Sequence, residues 1–235
     1  MTNKFILEIA VESVAAAQAA ERAGADRVEL CADLRSGGVT PTAETMWQAR
    51  HAVKIPIFAM IRPRAGNFIY SPEEFAAMRN SIAIARDAGM NGVVLGILFG
   101  DSTIDIPRSR ELVEAARPME TTFHRAFDEC KDLPVALEDV ILTGATRLLT
   151  SGGAPTAAQG AQTLRRLVIR AAQRITILPG AGISPNNFAE IRRETGAAEF
   201  HSGLGSVLSY GITDTSPFEQ QVRRLVAEKI QKTKS

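Results

Sequence analysis

The sequence predicts an α/β fold, the (β/α)8 or TIM barrel, formed as a single domain by residues 1–235. A repeated sequence pattern predicts this fold: at four places, a helix that ends at a glycine is followed by a short apolar strand. These are Glu21–Leu30, Arg86–Leu95, Leu142–Thr150 and Arg193–Ser202. Completing the pattern gives eight strand–helix units in 235 residues, the size of a compact barrel. A doubly wound open sheet is the alternative, although such sheets usually have about five or six strands.

Each element follows from local signals. Short apolar runs predict strands that are covered on both faces, at Phe5–Ala10, Arg27–Cys31, Ile57–Arg62, Gly92–Leu95, Thr121–His124, Arg147–Thr150, Ile175–Pro179 and Glu199–His201. Helix-start signals such as Ser71-Pro72 and helical apolar spacing predict helices at Ser13–Arg22, Thr42–Ala52, Pro72–Ala88, Asp105–Ala116, Pro134–Leu142, Thr156–Ala172, Asn187–Glu194 and Pro217–Gln231. Left-handed glycines are expected at four helix ends, at Gly24, Gly89, Gly144 and Gly196.

Composition excludes several classes of protein. Lys and Arg number 27 and Asp and Glu 26, so the net charge of +1 argues against nucleic-acid and anionic-membrane partners. Neither a signal peptide nor an apolar run long enough to span a membrane is recognisable. The two cysteines, Cys31 and Cys130, do not form a disulfide framework. We therefore expect a cytoplasmic protein, and we expect it to be a homo-oligomer, with a dimer favoured.

The ends of the predicted strands are rich in polar residues. Active sites of such barrels lie at the carboxyl ends of the strands, and side chains alternate in direction along each strand. If Glu29 and Cys31 point inward, they come together with Glu8 and His201, while Arg62 follows on the third strand and His124 lies across the mouth. Further polar or glycine positions at these ends are Arg64, Arg125, Ser151, Gly152, Gly153, Gly180 and Gly182.

These residues allow more than one interpretation. Glu8 and Glu29 could be structural, paired with Arg62 or Lys4 inside the barrel. His124 could be a core histidine with its hydrogen bonds satisfied. The glycine turns could permit tight connections, or they could let backbone amides approach a phosphate or carboxylate.

The residues favour an enzyme that acts on a small anionic or carbonyl-containing metabolite. Glu8 or Glu29 would be the general base and His124 or His201 the acid. The anion would be held by Arg62 and Arg64, with Arg125 and the amides of the turns at Ser151–Gly153 and Gly180–Gly182. Motifs for nucleotide cofactors and for HExxH zinc sites are missing, and the absence of lysine from the strand ends weakens a Schiff-base mechanism. A scaffold without turnover is a third hypothesis.

Several stretches resemble the CutC family, which is named for copper homeostasis. The stretches are RVELC around Glu29, MIRPR around Arg62, TTFHRAFDEC at Thr121–Cys130, LLTSGG at Leu148–Gly153, PGAGI at Pro179–Ile183 and EFHSG at Glu199–Gly203. The resemblance covers nearly the whole chain and implies a cytosolic TIM barrel associated with copper homeostasis and Cu(I) binding.

The resemblance also implies which residue would hold copper. Cu(I) prefers thiolate and thioether ligands, and the family's cysteine on the second strand is present as Cys31. Family members often have another cysteine where this chain has Ala10, and some have one where it has Ser202. The implied copper ligand is therefore Cys31, with His201, His124 and Met60 as further donors.

Overall fold

The computed structural model describes residues 5–204 and 214–228, and it confirms the predicted (β/α)8 barrel. The strands are β1 (Ile6–Val11), β2 (Arg27–Leu30), β3 (Ile57–Met60), β4 (Gly92–Leu95), β5 (Glu120–Phe123), β6 (Arg147–Thr150), β7 (Thr176–Pro179) and β8 (Glu199–Ser202). All neighbouring strands in the order β7-β6-β5-β4-β3-β2-β1-β8 pair in parallel. Strands β7 and β8 lie side by side and nearly close the barrel.

Helices surround the barrel, and their ends follow the expected local chemistry. They are α1 (Val14–Arg22), α2 (Ala43–Ala52), α3 (Pro72–Asp87), α4 (Ile106–Ala116), α5 (Leu133–Thr143), α6 (Ala161–Ala171), α7 (Phe188–Thr195) and α8 (Ser216–Ala227). Ser71 and Glu74 form a reciprocal capping box at the start of α3, which satisfies two amides that the helix leaves free. All four predicted left-handed glycines have positive φ angles.

The largest difference from the predicted elements is the start of α6. The helix begins at Ala161 rather than Thr156, because the preceding turn packs closely against the end of β6. A β-carbon at Gly160 would lie 1.8 Å from the carbonyl oxygen of Ser151, so only glycine allows this approach. The last predicted helix, Pro217–Gln231, ends at Ala227, and residues 229–231 lie outside the described part of the chain.

Two short 3-10 helices at the carboxyl ends of strands were not predicted. Leu34–Ser36 follows β2, and Arg125–Glu129 follows β5. Leu34 in the first and Arg125 in the second line a cavity at this end of the barrel.

The inside of the barrel contains a layer of charged side chains. Arg27 donates to Glu8 (Nε to Oε2, 2.5 Å) and to Glu199 (Nη2 to Oε2, 2.7 Å). Arg147 also donates to Glu199, at 2.9 Å, and pairs with Glu120. The network connects β1, β2, β8, β6 and β5, and therefore crosses the seam between β7 and β8. Within the described residues, we find no helix with the length and apolar character needed to cross a membrane.

Candidate functional site

Glu8 lies at the centre of the barrel and joins the charged layer to the site above it. Its Oε1 accepts a hydrogen bond from Nδ1 of His201 at 2.7 Å, while its Oε2 accepts from Arg27. Burial alone would raise the pKa of Glu8, but Arg27 and His201 outweigh burial and lower that pKa to about 2. Glu8 is therefore an ionised carboxylate that fixes the orientation of the His201 ring.

Glu29 lies on the other side of His201. The distance from His201 Nε2 to Glu29 Oε2 is 3.9 Å, and the same oxygen accepts the thiol hydrogen of Cys31 at 3.4 Å. Its second oxygen, Oε1, is buried without a hydrogen-bond partner. Burial raises the pKa of Glu29, and the negative charge of Glu8 adds to this effect. A proton can therefore be shared between Glu29 and His201, and the two titrate as a pair.

A cavity of about 350 Å³ opens above these residues. It lies at the carboxyl ends of the strands, where (β/α)8 barrels carry their active sites. Polar and apolar residues both line it: Ala10, Glu29, Leu34, Gly37, Met60, Arg62, Phe68, His124, Arg125, Leu149, Ala181, Gly182, Ile183, His201, Gly203 and Leu204. This volume is near the lower end of the range for small-molecule sites.

Arg62 contributes a buried positive charge to this cavity. Its Nη1 and Nη2 atoms donate to the backbone carbonyls of Ser36, Gly38 and Gly66, and its guanidinium carbon lies 4.8 Å from the centre of the Phe68 ring. The Nε atom has no partner. No carboxylate pairs with Arg62 among residues 5–204 and 214–228. A buried guanidinium without a counterion favours the binding of an anion.

His124 lies at the end of β5 and contributes a neutral imidazole. Its Nδ1 accepts the amide hydrogen of Ala126 at 3.3 Å, and its Nε2 is buried without a partner. Burial, followed by the positive charge of Arg62, lowers the pKa of His124 to about 3. The ring packs 4.8 Å from the ring of Phe68.

The turn after β6 is occupied by a carboxylate of the chain itself. Asp128, in the 3-10 helix after β5, accepts hydrogen bonds from the amides of Ser151 and Gly153 and from the Ser151 hydroxyl. The Gly152 amide donates to the Thr150 hydroxyl. Because these donors already have partners, Ser151, Gly152 and Gly153 are not available to bind an anion, contrary to the prediction.

The turn after β7 remains available to a ligand. The Gly180 amide donates to the carbonyl of Thr150, but the amides of Ala181 and Gly182 have no partner in the part of the chain that the structure describes. Ala181 has a φ angle of 76°, which is uncommon for a residue with a β-carbon. Of the two glycines predicted here, Gly182 lines the cavity, while Gly180 makes room for Leu149 and His201.

The two remaining predicted arginines differ in position. Arg64 does not line the cavity; it holds its own loop through Glu74, Asn67 and the carbonyl of Ile69. We therefore remove it from the anion site. Arg125 lines the cavity, but it is paired with Asp128 at 2.9 Å, so its charge is already partly neutralised.

Cys31 lies behind Glu29, away from the cavity lining. It is buried with Phe58, Met60 and Val94. Burial, followed by the charge of Glu29, raises the pKa of its thiol well above the ordinary value. The other cysteine, Cys130, caps the 3-10 helix after β5. The site thus offers one thiol and the thioether of Met60, a set that does not fit tight Cu(I) binding.

Glu8, Glu29 and His201 are the group with metal-ligand geometry in the described part of the chain. One ligand atom from each lies within 4.8 Å of the others. Both oxygens of Glu8, however, already accept hydrogen bonds from Arg27 and His201. These carboxylate and imidazole donors are also harder than the ligands that Cu(I) prefers.

Several residues of the site were not found from the sequence. Arg27 and Glu199 hold Glu8 and extend the charged layer, Phe68 stacks on Arg62, and Asp128 fills the turn after β6. Strand alternation could have found the first two, because Arg27 shares a face with Glu29 and Glu199 shares one with His201. Asp128 and Phe68 lie in loops, for which periodicity gives no signal.

Fold and cavity together define the class of protein: a (β/α)8 barrel with a polar small-molecule cavity at the carboxyl ends of its strands. Residues 5–206 match the CutC family, and the chain belongs to this family. A CutC family protein from Chromobacterium violaceum is 47% identical over 205 residues, covering 87% of this chain and 83% of that protein. A human protein named copper homeostasis protein cutC homolog is 41% identical over 210 residues, covering 89% of this chain and 77% of its own length.

Solved structures agree with the family and with the fold. The crystal structure of CutC from Streptococcus agalactiae superposes with a TM-score of 0.80 at 31% sequence identity, covering 84% of this chain and 98% of that chain. Phosphoribosylanthranilate isomerase from Thermotoga maritima superposes with a TM-score of 0.62 at 12% identity, covering 96% of this chain and 98% of that chain. The second likeness shows the barrel fold alone.

Proposed function

We propose that this protein is an enzyme that binds a small organic anion and transfers a proton to or from it. One observation carries the proposal: three buried polar atoms without partners, Glu29 Oε1, Arg62 Nε and His124 Nε2, belong to residues that line one cavity. Leaving such an atom unpaired costs about 1–3 kcal/mol. A ligand that pairs with all three would recover that free energy on binding.

Arg62 supports the anionic character of the ligand. Three carbonyls and the Phe68 ring fix the guanidinium, so little side-chain freedom is lost when a ligand binds. The free Nε–H and the amides of Ala181 and Gly182 are donors to an anionic group. A carboxylate or a phosphate would satisfy this arrangement.

Glu29 and His201 support proton transfer. Glu8 orients His201 through Nδ1, and the opposite ring nitrogen lies 3.9 Å from Glu29. A carboxyl group whose pKa is raised by burial and an imidazole beside it are suited to general acid–base catalysis near neutral pH. In this arrangement Glu8 and Arg27 are positioning residues, because they act through His201.

The test separates binding from turnover. Wild-type protein is titrated with a panel of small carboxylates and phosphates, followed by calorimetry, and each mixture is then monitored by 1H and 31P NMR for chemical change. Arg62→Met should abolish binding, whereas Glu29→Gln should bind and show no turnover. Arg79→Met, which removes an exposed arginine, is the control for Arg62. Equal anion binding by Arg62→Met and wild type would contradict the proposal.

A role in copper homeostasis is a second candidate, supported by the names of the relatives. A local observation also favours it: a β-carbon at Gly38 would lie 3.1 Å from Cys31 Sγ and 3.6 Å from the methyl carbon of Met60, so a thiol and a thioether are adjacent. Two soft donors would give weak binding of Cu(I) at most. Titration of the reduced protein with Cu(I) against a chelator tests this role. Cys31→Ser should lose the binding and Cys130→Ser should keep it; unchanged affinity in Cys31→Ser would exclude Cys31 as a ligand.

A further inference from the structure

Two side chains of the cavity, His124 and Arg62, each carry a hydrogen-bond donor without a partner, and the geometry of these donors indicates more than anion binding. The first is His124, whose tautomer is set by its surroundings. Because Nδ1 accepts the Ala126 amide, the neutral ring must carry its hydrogen on Nε2. That Nε2–H has no partner, so it is a hydrogen-bond donor available to a ligand.

The surroundings keep this imidazole neutral. The groups that face the ring are the guanidinium of Arg62, the aromatic rings of Phe68 and Phe123, and the backbone at Gly96 and Ala126. No carboxylate forms a hydrogen bond to the ring within the described residues. A neutral imidazole donates a hydrogen bond to a developing oxyanion without giving up its proton.

The second donor is the Nε–H of Arg62. The other nitrogens of this guanidinium are occupied by the carbonyls of Ser36, Gly38 and Gly66, so the free donor has a fixed direction. The proton acceptors of the cavity come from other strands, Glu29 from β2 and His201 from β8. The cavity therefore combines oxyanion donors from the ends of β3 and β5 with proton-transfer groups from β2 and β8.

We infer that His124 and Arg62 form an oxyanion site, and that the substrate is a carbon acid: a small carbonyl or carboxylate compound with a removable hydrogen on the adjacent carbon. This inference rests on the proposed function and specifies its reaction class. Glu29 takes the proton from that carbon. The electron pair of the C–H bond forms a C=C bond, and the carbonyl π electrons move to oxygen. The enolate oxygen then accepts hydrogen bonds from His124 Nε2–H and Arg62 Nε–H, and return of the proton to carbon completes the exchange.

Other cavities and surfaces of the described residues lack this combination of features. The cavity between the loops that contain Glu12, Cys31 and Thr42 has no unpartnered buried polar side chain. Val135 and Leu142 of α5 and Ile169 of α6 are exposed apolar residues, but nothing in the described part of the chain identifies a partner for them.

Oxalate is the probe for the oxyanion site, because it resembles the enolate of a 2-oxo acid, and acetate is the matched simple carboxylate. Wild-type protein should bind oxalate at least about tenfold more tightly than acetate, because the donors that stabilise an enolate also bind its analogue. For comparison, loss of one oxyanion donor lowers the rate of an enzyme about 10²–10³-fold. His124→Phe should lose this preference while still binding acetate, and His51→Phe, which changes an exposed histidine, should keep it. In 15N NMR, His124 should be the Nε2–H tautomer, and its Nε2–H signal should shift when oxalate binds.

Proton abstraction is tested with pyruvate in D2O. Wild-type protein should exchange the methyl hydrogens of pyruvate faster than buffer does, and both Glu29→Gln and His124→Phe should reduce this rate at least about tenfold. The absence of exchange above the buffer rate would overturn the carbon-acid assignment.

The outcomes distinguish this inference from the proposed function. Suppose that Arg62→Met loses anion binding, but that His124→Phe binds oxalate as tightly as the wild type does. The oxyanion site is then refuted, and the proposal of an anion-binding enzyme stands. If Arg62→Met binds oxalate and acetate as tightly as the wild type does, both proposals fail. An Nδ1–H tautomer of His124 would refute the oxyanion site alone.

Discussion

His201 lies between two carboxylates that have different tasks. Burial opposes protonation of its ring, but the charges of Glu29 and Glu8 outweigh burial and raise the pKa of His201 above its ordinary value. Glu8 holds Nδ1 directly, whereas Glu29 lies 3.9 Å from Nε2 without a close hydrogen bond. Glu8 therefore fixes the ring, and Glu29 remains free to exchange a proton with a ligand.

This division predicts the effect of Glu8→Gln. The substitution keeps the size of the side chain but removes the charge beside Nδ1, so burial is opposed by Glu29 alone and the titration midpoint of His201 should fall. NMR titration of the imidazole signals measures this midpoint, and with only three histidines in the chain the signals can be assigned individually. Glu44→Gln, at an exposed site on α2, is the control. An unchanged His201 midpoint in Glu8→Gln would show that Glu8 does not set the charge of the ring.

The ends of strands β4 and β5 depend on each other through a glycine. A β-carbon at Gly96, directly after β4, would lie 2.6 Å from Nδ1 and 2.7 Å from Cε1 of His124. Real β-carbons do not approach ring atoms this closely, so the imidazole occupies space that only glycine leaves open. The position of His124 is therefore determined by the neighbouring strand as well as by its own.

Gly96→Ala should displace the His124 ring and cost about 1–3 kcal/mol of unfolding free energy, as overpacked sites do. The variant should also lose the preference for oxalate while keeping its barrel fold by circular dichroism. Gly100→Ala is the matched control, because nothing lies within 4 Å of a β-carbon there. If both alanine variants had the same stability and the same His124 signal, the contact with Gly96 would have no role.

At the same scale, prediction from sequence succeeds where periodicity is strong. Strands Gly92–Leu95 and Arg147–Thr150 have the predicted bounds, and alternation along the strands correctly placed Glu29 beside His201 and Glu8. Alternation does not report the partners of a side chain, so the pairing of Glu8 with Arg27 instead of the expected Arg62 was missed. Lys4, the other expected partner, lies outside the described residues. Contacts made by loop residues cannot be predicted in this way. Examples are the backbone carbonyls that hold Arg62 and the Asp128 carboxylate at the turn after β6, because loop conformations have no periodic sequence signal.

For the whole barrel, the charged layer stabilises the seam between β7 and β8. These two strands are not joined by a regular ladder, yet Arg147 of β6 and Arg27 of β2 both pair with Glu199 of β8. Breaking one partner of a buried network costs about 3–5 kcal/mol, because the other charges are left unpaired. The same charges that orient His201 thus contribute to closing the barrel.

This coupling predicts a specific loss of stability in acid. The pKa of Glu8 falls from 4.5 to about 2 in the folded protein. The contribution of its charge to the free energy of unfolding is therefore fully present above pH 4.5 and is lost as the pH falls toward 2. The expected loss is on the order of 3 kcal/mol. The pKa values of Glu29 and His201 are raised on folding, so each of these groups destabilises the fold as the pH rises through its titration, opposite in sign to Glu8. Comparing wild type with Glu8→Gln cancels their effect where the two proteins share it.

Urea unfolding of wild type and Glu8→Gln at several pH values between 5 and 2 measures the effect. Glu8→Gln should be less stable than wild type at pH 5, and the difference between them should shrink toward pH 2, because protonation removes the same charge from the wild type. Glu138→Gln, which alters a partly exposed carboxylate between Arg170 and Arg174, should show a difference from wild type of less than about 0.5 kcal/mol. A constant difference between Glu8→Gln and wild type would mean that the charge of Glu8 does not stabilise the barrel, and that the side chain acts through its packing alone.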